Sequence, residues 1–181
     1  MTDKEFELER FDDKGLIKLL GQRAIIFFAG TFRELGVGMR EVLGDEAGGV
    51  LYDAGIHSGK CSTRILQANW KERGEDFIKK WTEFYGAAGV GWFRIKELNV
   101  DLKTGVGNII IRRSIFADDI ILPCESTFND KSKKSNDPSC HFLAGFFVGV
   151  FETLTGQKIE CEEIKCVKKK DPHCEFQLTN Y

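Results

Sequence analysis

Four side chains near the carboxyl end constrain this chain more than any other feature. They are Cys140, Glu163, Cys166 and Cys174, spaced as Cys140-x25-Cys166-x7-Cys174 with Glu163 three residues before Cys166. Zn²⁺ prefers four ligands in a tetrahedron and readily takes thiolates. The pattern therefore predicts a zinc site. The alternative is four unrelated residues, since cysteine is also a common buried residue, and His141 or His173 could replace Glu163.

The local sequence around these residues predicts how they meet. Cys140 precedes an apolar helical segment, and the helix dipole favours a thiolate at that end. Cys166 and Cys174 flank a turn, so both sulfurs can approach one ion. Because Glu163 and Cys166 have opposite strand parity, the strand must bulge between them. Four protein ligands leave no open position for water, which predicts a structural rather than a catalytic metal. We expect Lys165 and the run 168–170 to offset part of the site's negative charge.

Composition and termini argue against several classes of protein. The formal net charge is −2, whereas general binders of nucleic acid or anionic membranes need a basic surface. No apolar run reaches the ~18 residues of a membrane span, and residues 1–7 lack the apolar core of a signal peptide. Six cysteines without an export signal indicate a reducing compartment. We expect a cytoplasmic protein without nucleic-acid or membrane partners.

Hydrophobic periodicity predicts an α+β fold, with helices packed against a mostly antiparallel sheet and a zinc-stabilised carboxyl-terminal hairpin. Thr31 and Glu34 match a capping box at the start of the first helix. Helices are predicted over 31–43, 46–69, 73–87 and 140–154, and strands over 90–100, 107–117, 158–163 and 174–178.

Three other segments complete the predicted organisation. Residues 1–14 are charged and predict a flexible amino-terminal arm, which leaves 15–181 as a single ligand-binding domain. The apolar run 21–31 predicts a short strand or the start of a buried helix. Asp118 to Leu122 could extend the second strand, and the polar segment 125–139 predicts a long loop.

Glycines at helical spacing predict close helix packing. Gly55 and Gly59 lie one turn apart in the second predicted helix, and Gly145 and Gly149 repeat the spacing in the fourth. Because glycine lacks Cβ, another element can pack very close to such a face.

Two of these motifs together resemble the 4-vinyl reductase domain family. The first runs from Cys140-His-Phe-Leu-Ala-Gly-Phe-Phe-Val-Gly to Glu163-x2-Cys166-x7-Cys174-Glu-Phe, and the second is Leu51-Tyr-Asp-Ala-Gly55-x3-Gly59. The resemblance covers about residues 16–180. It implies an α+β dimer with an apolar internal cavity, on a fold shared with subunits of the vesicle-transport particle.

The family's aromatic-sensing members hold zinc with three cysteines and one glutamate at this spacing. The resemblance thus implies that Cys140, Glu163, Cys166 and Cys174 are zinc ligands. Those sensors also grip a phenolic hydroxyl with a histidine and a tryptophan, the latter on the strand before the metal helix. Here that strand, 109–117, has no tryptophan, which weighs against phenol recognition. The ATPase and DNA-binding domains of the activators are not in this chain, so direct transcriptional activation is not expected.

The resulting hypothesis is a zinc-stabilised homodimeric sensor or carrier for a small apolar or aromatic ligand. One alternative is a dimeric scaffold subunit that binds no ligand, and another is a reductase acting on a tetrapyrrole vinyl group. No nicotinamide, flavin or nucleophile motif supports an enzyme. The aromatic pocket candidates are at helical or strand spacing, which is also typical of plain core. The predicted pocket residues are His57, Trp92, Phe116, Phe142 and Phe146.

Overall fold

A computed structural model of the chain describes residues 8–11, 14–86, 89–117 and 140–181. Helices and antiparallel strands make up these segments, so the predicted α+β class is confirmed. The helices are α1 Ala29–Leu43, α2 Ala47–Asn69, α3 Gly74–Tyr85 and α4 His141–Thr155, and the strands are β1 Glu9–Phe11, β2 Leu16–Leu19, β3 Gln22–Ala24, β4 Arg94–Val100, β5 Gly107–Arg112, β6 Ile159–Lys165 and β7 Cys174–Asn180.

The larger sheet has four antiparallel strands in the order β4-β5-β7-β6. The last strand of the chain is therefore central and pairs with both β5 and β6. The predicted hairpin of 158–163 with 174–178 corresponds to β6 and β7, which a 3-10 turn at Val167–Lys169 helps to connect. The core-facing residues of β6 are Ile159, Cys161 and Glu163, and only the last of these is charged.

Helices α2 and α4 make the most extensive contact between elements of the described fold. The four predicted glycines lie at this crossing. A Cβ on Gly145 would lie 1.9 Å from the backbone oxygen of Tyr52, and one on Gly55 would lie 2.1 Å from that of Phe142. The two helix backbones therefore touch, as the glycine spacing predicted. Nearly every residue of α4 from Leu143 to Phe151 is buried as a result.

The amino-terminal region departs from the sequence-based predictions. Strands β1, β2 and β3 form a separate three-stranded antiparallel sheet. Helix α1 begins at Ala29 with Phe28 as its N-cap and without a side-chain cap, so the capping box at Thr31 is wrong. The apolar run was expected to be buried, yet its residues Ile25 to Phe28 are 54–88% exposed.

Several predictions fall on parts of the chain that bear differently on the structure. The predicted loop 125–139 and the extension of β5 over 118–122 lie outside the described residues. Strand β1 lies within the segment expected to be an arm, and the division at residue 14 stays a prediction. Among the helices of the described segments, none has the length and apolarity needed to cross a lipid bilayer.

Candidate metal centre and aromatic cluster

The structure brings Cys140, Glu163, Cys166 and Cys174 together at one buried point. One ligand atom from each lies within 4.8 Å of all the others, and the Sγ atoms of Cys140 and Cys174 are 4.0 Å apart. Tetrahedral ligands 2.0–2.3 Å from a zinc ion would lie roughly 3.3–3.8 Å from one another. A small contraction of the cluster would therefore seat the ion.

Each ligand is positioned by its local backbone. Cys140 is the N-cap residue of α4, and its carbonyl accepts the first helical hydrogen bond, from Ala144 N at 2.9 Å. The register of β6 against β7 shifts between Glu163 and Lys165. This is the predicted bulge, and it turns Cys166 towards the side of the sheet that holds Glu163.

The environment of Glu163 is what a missing cation would explain. The residue is 8% exposed, and neither carboxylate oxygen accepts a well-formed hydrogen bond within the described part of the chain. Burying a carboxylate without partners costs several kcal/mol or more. A cation held by Glu163 and the three thiols would offset that cost, so this donor set fits a thiophilic divalent metal.

The turn after β6 adds backbone support to this donor set. Asp171 Oδ2 accepts a hydrogen bond from Cys166 N at 2.8 Å, and Cys166 O accepts one from Lys169 N at 2.8 Å. The backbone N–H of Val167 is directed at the Cys174 sulfur and favours its thiolate form by lowering its pKa. Backbone donors of this kind orient a metal ligand and stabilise its charge.

The lysines and histidines near the ligands have other positions. Lys165 Nζ pairs with Glu175 Oε2 at 2.8 Å, rather than with the cluster as expected. His173 Nε2 lies 3.4 Å from the same carboxylate oxygen. The His141 ring lies close to Gly48 of α2. In the described segments the candidate ligand group consists of the three cysteines and Glu163, without either histidine.

Without metal, the ligands favour their protonated forms. Contact with the thiols of Cys166 and Cys174, followed by burial, raises the pKa of Cys140 well above its usual value. The Cys140 thiol lowers the pKa of Cys174, but contact with Cys166 and burial outweigh it, so the net shift is upward. Burial raises the pKa of Glu163 to about 7.

Metal affinity should therefore rise steeply with pH. At least two protons, from Cys140 and Cys174, must leave when a metal binds, and each adds about a tenfold gain in affinity per pH unit. Titrating metal-free protein with Co²⁺ near neutral pH, followed by thiolate-to-cobalt absorption, should show about a hundredfold gain per unit. A slope below tenfold, or no thiolate-to-cobalt band, would contradict ligation by these thiols.

Four of the five predicted pocket residues meet in an aromatic cluster. Ring centroids are 5.4 Å apart for Phe116 and Phe142, 6.1 Å for Trp92 and Phe116, and 5.4 Å for Trp92 and Phe146. Phe146 is fully buried, whereas Trp92, Phe116 and Phe142 are half-buried. The cluster thus leads from the core towards the surface.

Sequence reasoning missed two members of this cluster. Phe32 of α1 packs edge-on against Phe116 and Phe142, with centroids 5.4 and 5.6 Å away. Tyr85 contacts both Trp92 and Phe146. Phe32 was placed in a predicted helix, but nothing in its spacing indicates which element that helix packs against. We use "aromatic cluster" for Phe32, Tyr85, Trp92, Phe116, Phe142 and Phe146.

The fifth pocket candidate, His57, lies apart from the aromatic cluster. It is exposed on α2, whereas Gly55 and Gly59 on the same helix are buried against α4. The structure therefore does not bring His57 to the rings, and a role in ligand binding stays a prediction for it.

A cavity of about 460 Å³ lies elsewhere, between α2, α4 and the start of β6. Its walls mix apolar and charged groups, including Lys60 and Glu152, whose Nζ and Oε2 are 2.6 Å apart. Tyr52 also lines it and accepts a hydrogen bond from Cys161 N at 3.1 Å. None of the predicted aromatic residues lines this cavity.

Three solved structures share the fold. The phenol-responsive sensory domain of the transcription activator PoxR, crystallised with phenol, aligns with a TM-score of 0.73 and 20% identity, covering 96% of this chain and 84% of that chain. A trafficking protein particle complex subunit 3 from Naegleria fowleri, covalently bound to palmitic acid, aligns with a TM-score of 0.57 and 17% identity, covering 84% of this chain and 92% of that one.

The third is a vinyl-4-reductase family protein from Methanocaldococcus jannaschii, with a TM-score of 0.51 and 14% identity, covering 90% of this chain and 86% of that chain. At these identities the likeness establishes the fold alone. No match was found among curated proteins.

The sequence of residues 124–180 matches the family model of the 4-vinyl reductase domain. That segment contains all four candidate ligands, α4 and the β6–β7 hairpin. The family resemblance predicted from the cysteine and glycine motifs is therefore confirmed, and residues 124–180 of this chain belong to the 4-vinyl reductase domain family.

Proposed function

We propose that this chain is a small-molecule-binding domain, a sensor or carrier for an apolar or aromatic ligand, stabilised by structural zinc. The observation that carries the proposal is the aromatic cluster, in which half-buried rings continue from fully buried Phe146. Such rings offer faces and edges to a planar apolar ligand. The fold shared with the phenol-responsive PoxR domain supports the same class of activity.

The metal centre supports the ligand site through α4. Cys140 is the N-cap of this helix, and Phe142 and Phe146 follow within its first two turns. A zinc ion joining Cys140 to Glu163, Cys166 and Cys174 would fix the helix start against the terminal hairpin. The rings on α4 would then keep one position, which is the preorganisation that a binding site needs. No open ligand position is left for catalysis by the metal.

Ligand entry requires that the rings separate. Phe116 and Phe142 are stacked, with an angle of 24° between their planes, and their half-buried edges are the accessible part of the cluster. A planar ligand would take the place of one stacking partner. We infer that toluene binds at least as strongly as phenol, because strand β5 and the turn after it lack the tryptophan that phenol sensors use.

Truncating Phe116 should weaken ligand binding. Phe116→Ala removes ring contacts to Phe32, Trp92 and Phe142, and we expect about a tenfold or larger rise in the Kd for toluene, on the scale of one aromatic contact. Binding is measured by quenching of tryptophan fluorescence and by the rise in Tm. Tyr181→Ala, at the mixed cavity, is the matched control and should bind as the wild type does.

Two results would contradict this placement of the ligand. One is the absence of binding for both toluene and phenol by zinc-loaded protein. The other is an equal loss from Tyr181→Ala, which would move the ligand to the mixed cavity. Native mass spectrometry of protein purified from its own source reports copurified ligand, metal and oligomeric state together.

A second candidate function is a dimeric scaffold that binds no ligand. An exposed apolar surface on α1 favours it, and the trafficking-complex subunit shares the fold. In both candidates we propose a homodimer. A cytoplasmic location and the single domain over 15–181 stay predictions. Ligand binding separates the two candidates, because a scaffold would bind neither toluene nor phenol.

A further inference from the structure

The apolar surface of the described chain is concentrated in one region. Large hydrophobic side chains that are exposed number twelve in the described segments, and eight of them lie between residues 25 and 50. Monomeric soluble proteins rarely expose more than a few hundred Å² of contiguous apolar surface. These eight are Ile25, Ile26, Phe27, Phe28, Leu35, Val42, Leu43 and Val50.

Along α1 the exposed residues follow a heptad pattern. Phe28, Leu35 and Val42 are seven residues apart and are 88%, 57% and 83% exposed. Thr31 and Gly38 fill the intervening positions, three residues after Phe28 and Leu35. A seven-residue repeat with this 3–4 spacing is the seam of a helix pair. We call these five residues the α1 seam.

Gly38 supports the same interpretation. A glycine inside a helix costs about 1 kcal/mol relative to alanine, and a Cβ at this position would meet nothing within 4 Å. Its small size therefore has no use within the described monomer. Small residues on a seam let a partner helix approach closely, as Gly145 and Gly149 do at the α2–α4 crossing.

We propose that the α1 seam pairs with the α1 seam of a second copy of this chain, antiparallel about a twofold axis near Leu35 and Gly38. A twofold interface presents the same patch on both subunits. Helix α1 spans residues 29–43, so Leu35 and Gly38 lie on either side of its midpoint. In an antiparallel pair Leu35 packs over the partner's Gly38, and the partner's Leu35 packs over Gly38. The seam is thus complementary to itself.

The size and charge of the surface favour a second copy over other occupants. At 41–88% exposure, the eight side chains present on the order of 800 Å², taking ~150–200 Å² for a large apolar side chain. A standard interface buries about 800 Å² per partner. Helix α1 has two arginines and two glutamates, so it lacks the basic excess typical of a helix that binds anionic membranes. This inference locates the interface of the proposed homodimer and is independent of its ligand.

The test uses opposite charges at Leu35 in the full-length, zinc-loaded chain. Leu35→Glu and Leu35→Lys should each be monomeric by native mass spectrometry and sedimentation, because two like charges meet near the axis. Mixing the two variants should restore a dimer containing one copy of each. Val106→Lys, at an exposed apolar residue in the β4–β5 turn, is the matched control and should remain a wild-type dimer.

Other outcomes overturn the proposal. A wild-type chain that stays monomeric at high concentration, or dimers that survive both Leu35 substitutions, would exclude this interface. A wild-type monomer that binds neutral lipid vesicles through α1 would assign the surface to a membrane. Zinc content and toluene binding of each variant are measured in parallel. Loss of dimerisation with both retained separates this inference from the proposed ligand site.

Discussion

Replacing Cys166 by serine is expected to abolish metal binding and to lower Tm by roughly 10–20 °C. The range follows from a loss on the order of 5 kcal/mol, since 1 kcal/mol shifts Tm by about 2–4 °C in a domain of this size. Structural zinc contributes apparent free energies of about 10–16 kcal/mol in small peptides, and part of this should be retained by the packed core here. Elemental analysis and thermal unfolding measure both effects.

The physical reason lies in what the site holds together. The four ligands come from the start of α4, the bulged end of β6, the turn after it and the start of β7. All four are buried. Without the ion, Glu163 remains a buried carboxylate without a well-formed hydrogen bond in the described segments. Its pKa of about 7 means that part of the population would carry an uncompensated buried charge at neutral pH.

Two other cysteines provide matched controls for this prediction. Cys61→Ser changes an exposed thiol on α2 and should alter neither zinc content nor Tm. Cys161→Ser changes a thiol that is 7% exposed in β6 and lies outside the ligand group. It should cost about 1–3 kcal/mol from burying a hydroxyl while zinc stays bound. Unchanged zinc content and Tm in Cys166→Ser would refute the metal assignment.

The carboxyl-terminal half could be predicted from sequence because its constraints are local and mutually consistent. Strand parity alone required a bulge between Glu163 and Cys166, and the register shift is found there. The apolar helix after Cys140 could only be a buried one, and α4 is buried along most of its length. Each pattern fixes a distance or a face that a folded chain must respect.

The amino-terminal region resisted prediction for the opposite reason. Continuous apolar residues normally indicate burial, but the run Ile25 to Phe28 is exposed in the described chain. Sequence periodicity reports that a surface is apolar without saying whether its partner is the same chain or another. Phe32 shows the same limit, because its contact with Phe116 and Phe142 depends on how α1 packs, which no local pattern encodes.

Replacing Gly145 by alanine is expected to destabilise the domain by on the order of 3 kcal/mol, the upper range for overpacking a tight core. The added Cβ would lie 1.9 Å from Tyr52 O and 2.8 Å from Tyr52 C, both backbone atoms of α2. Because a helix backbone cannot move aside as a flexible side chain can, α2 and α4 must separate. At about 2–4 °C per kcal/mol, Tm should fall by roughly 6–12 °C.

A second glycine in α2 separates the contact from the residue type. Gly49→Ala adds the same methyl group where nothing lies within 4 Å, and it should stabilise the helix by up to about 1 kcal/mol. The two variants should therefore shift Tm in opposite directions. Since Phe142 and Phe146 lie on α4 beside Gly145, Gly145→Ala should also weaken toluene binding, and Gly49→Ala should not. Equal shifts in Tm would show that the two helix backbones do not touch.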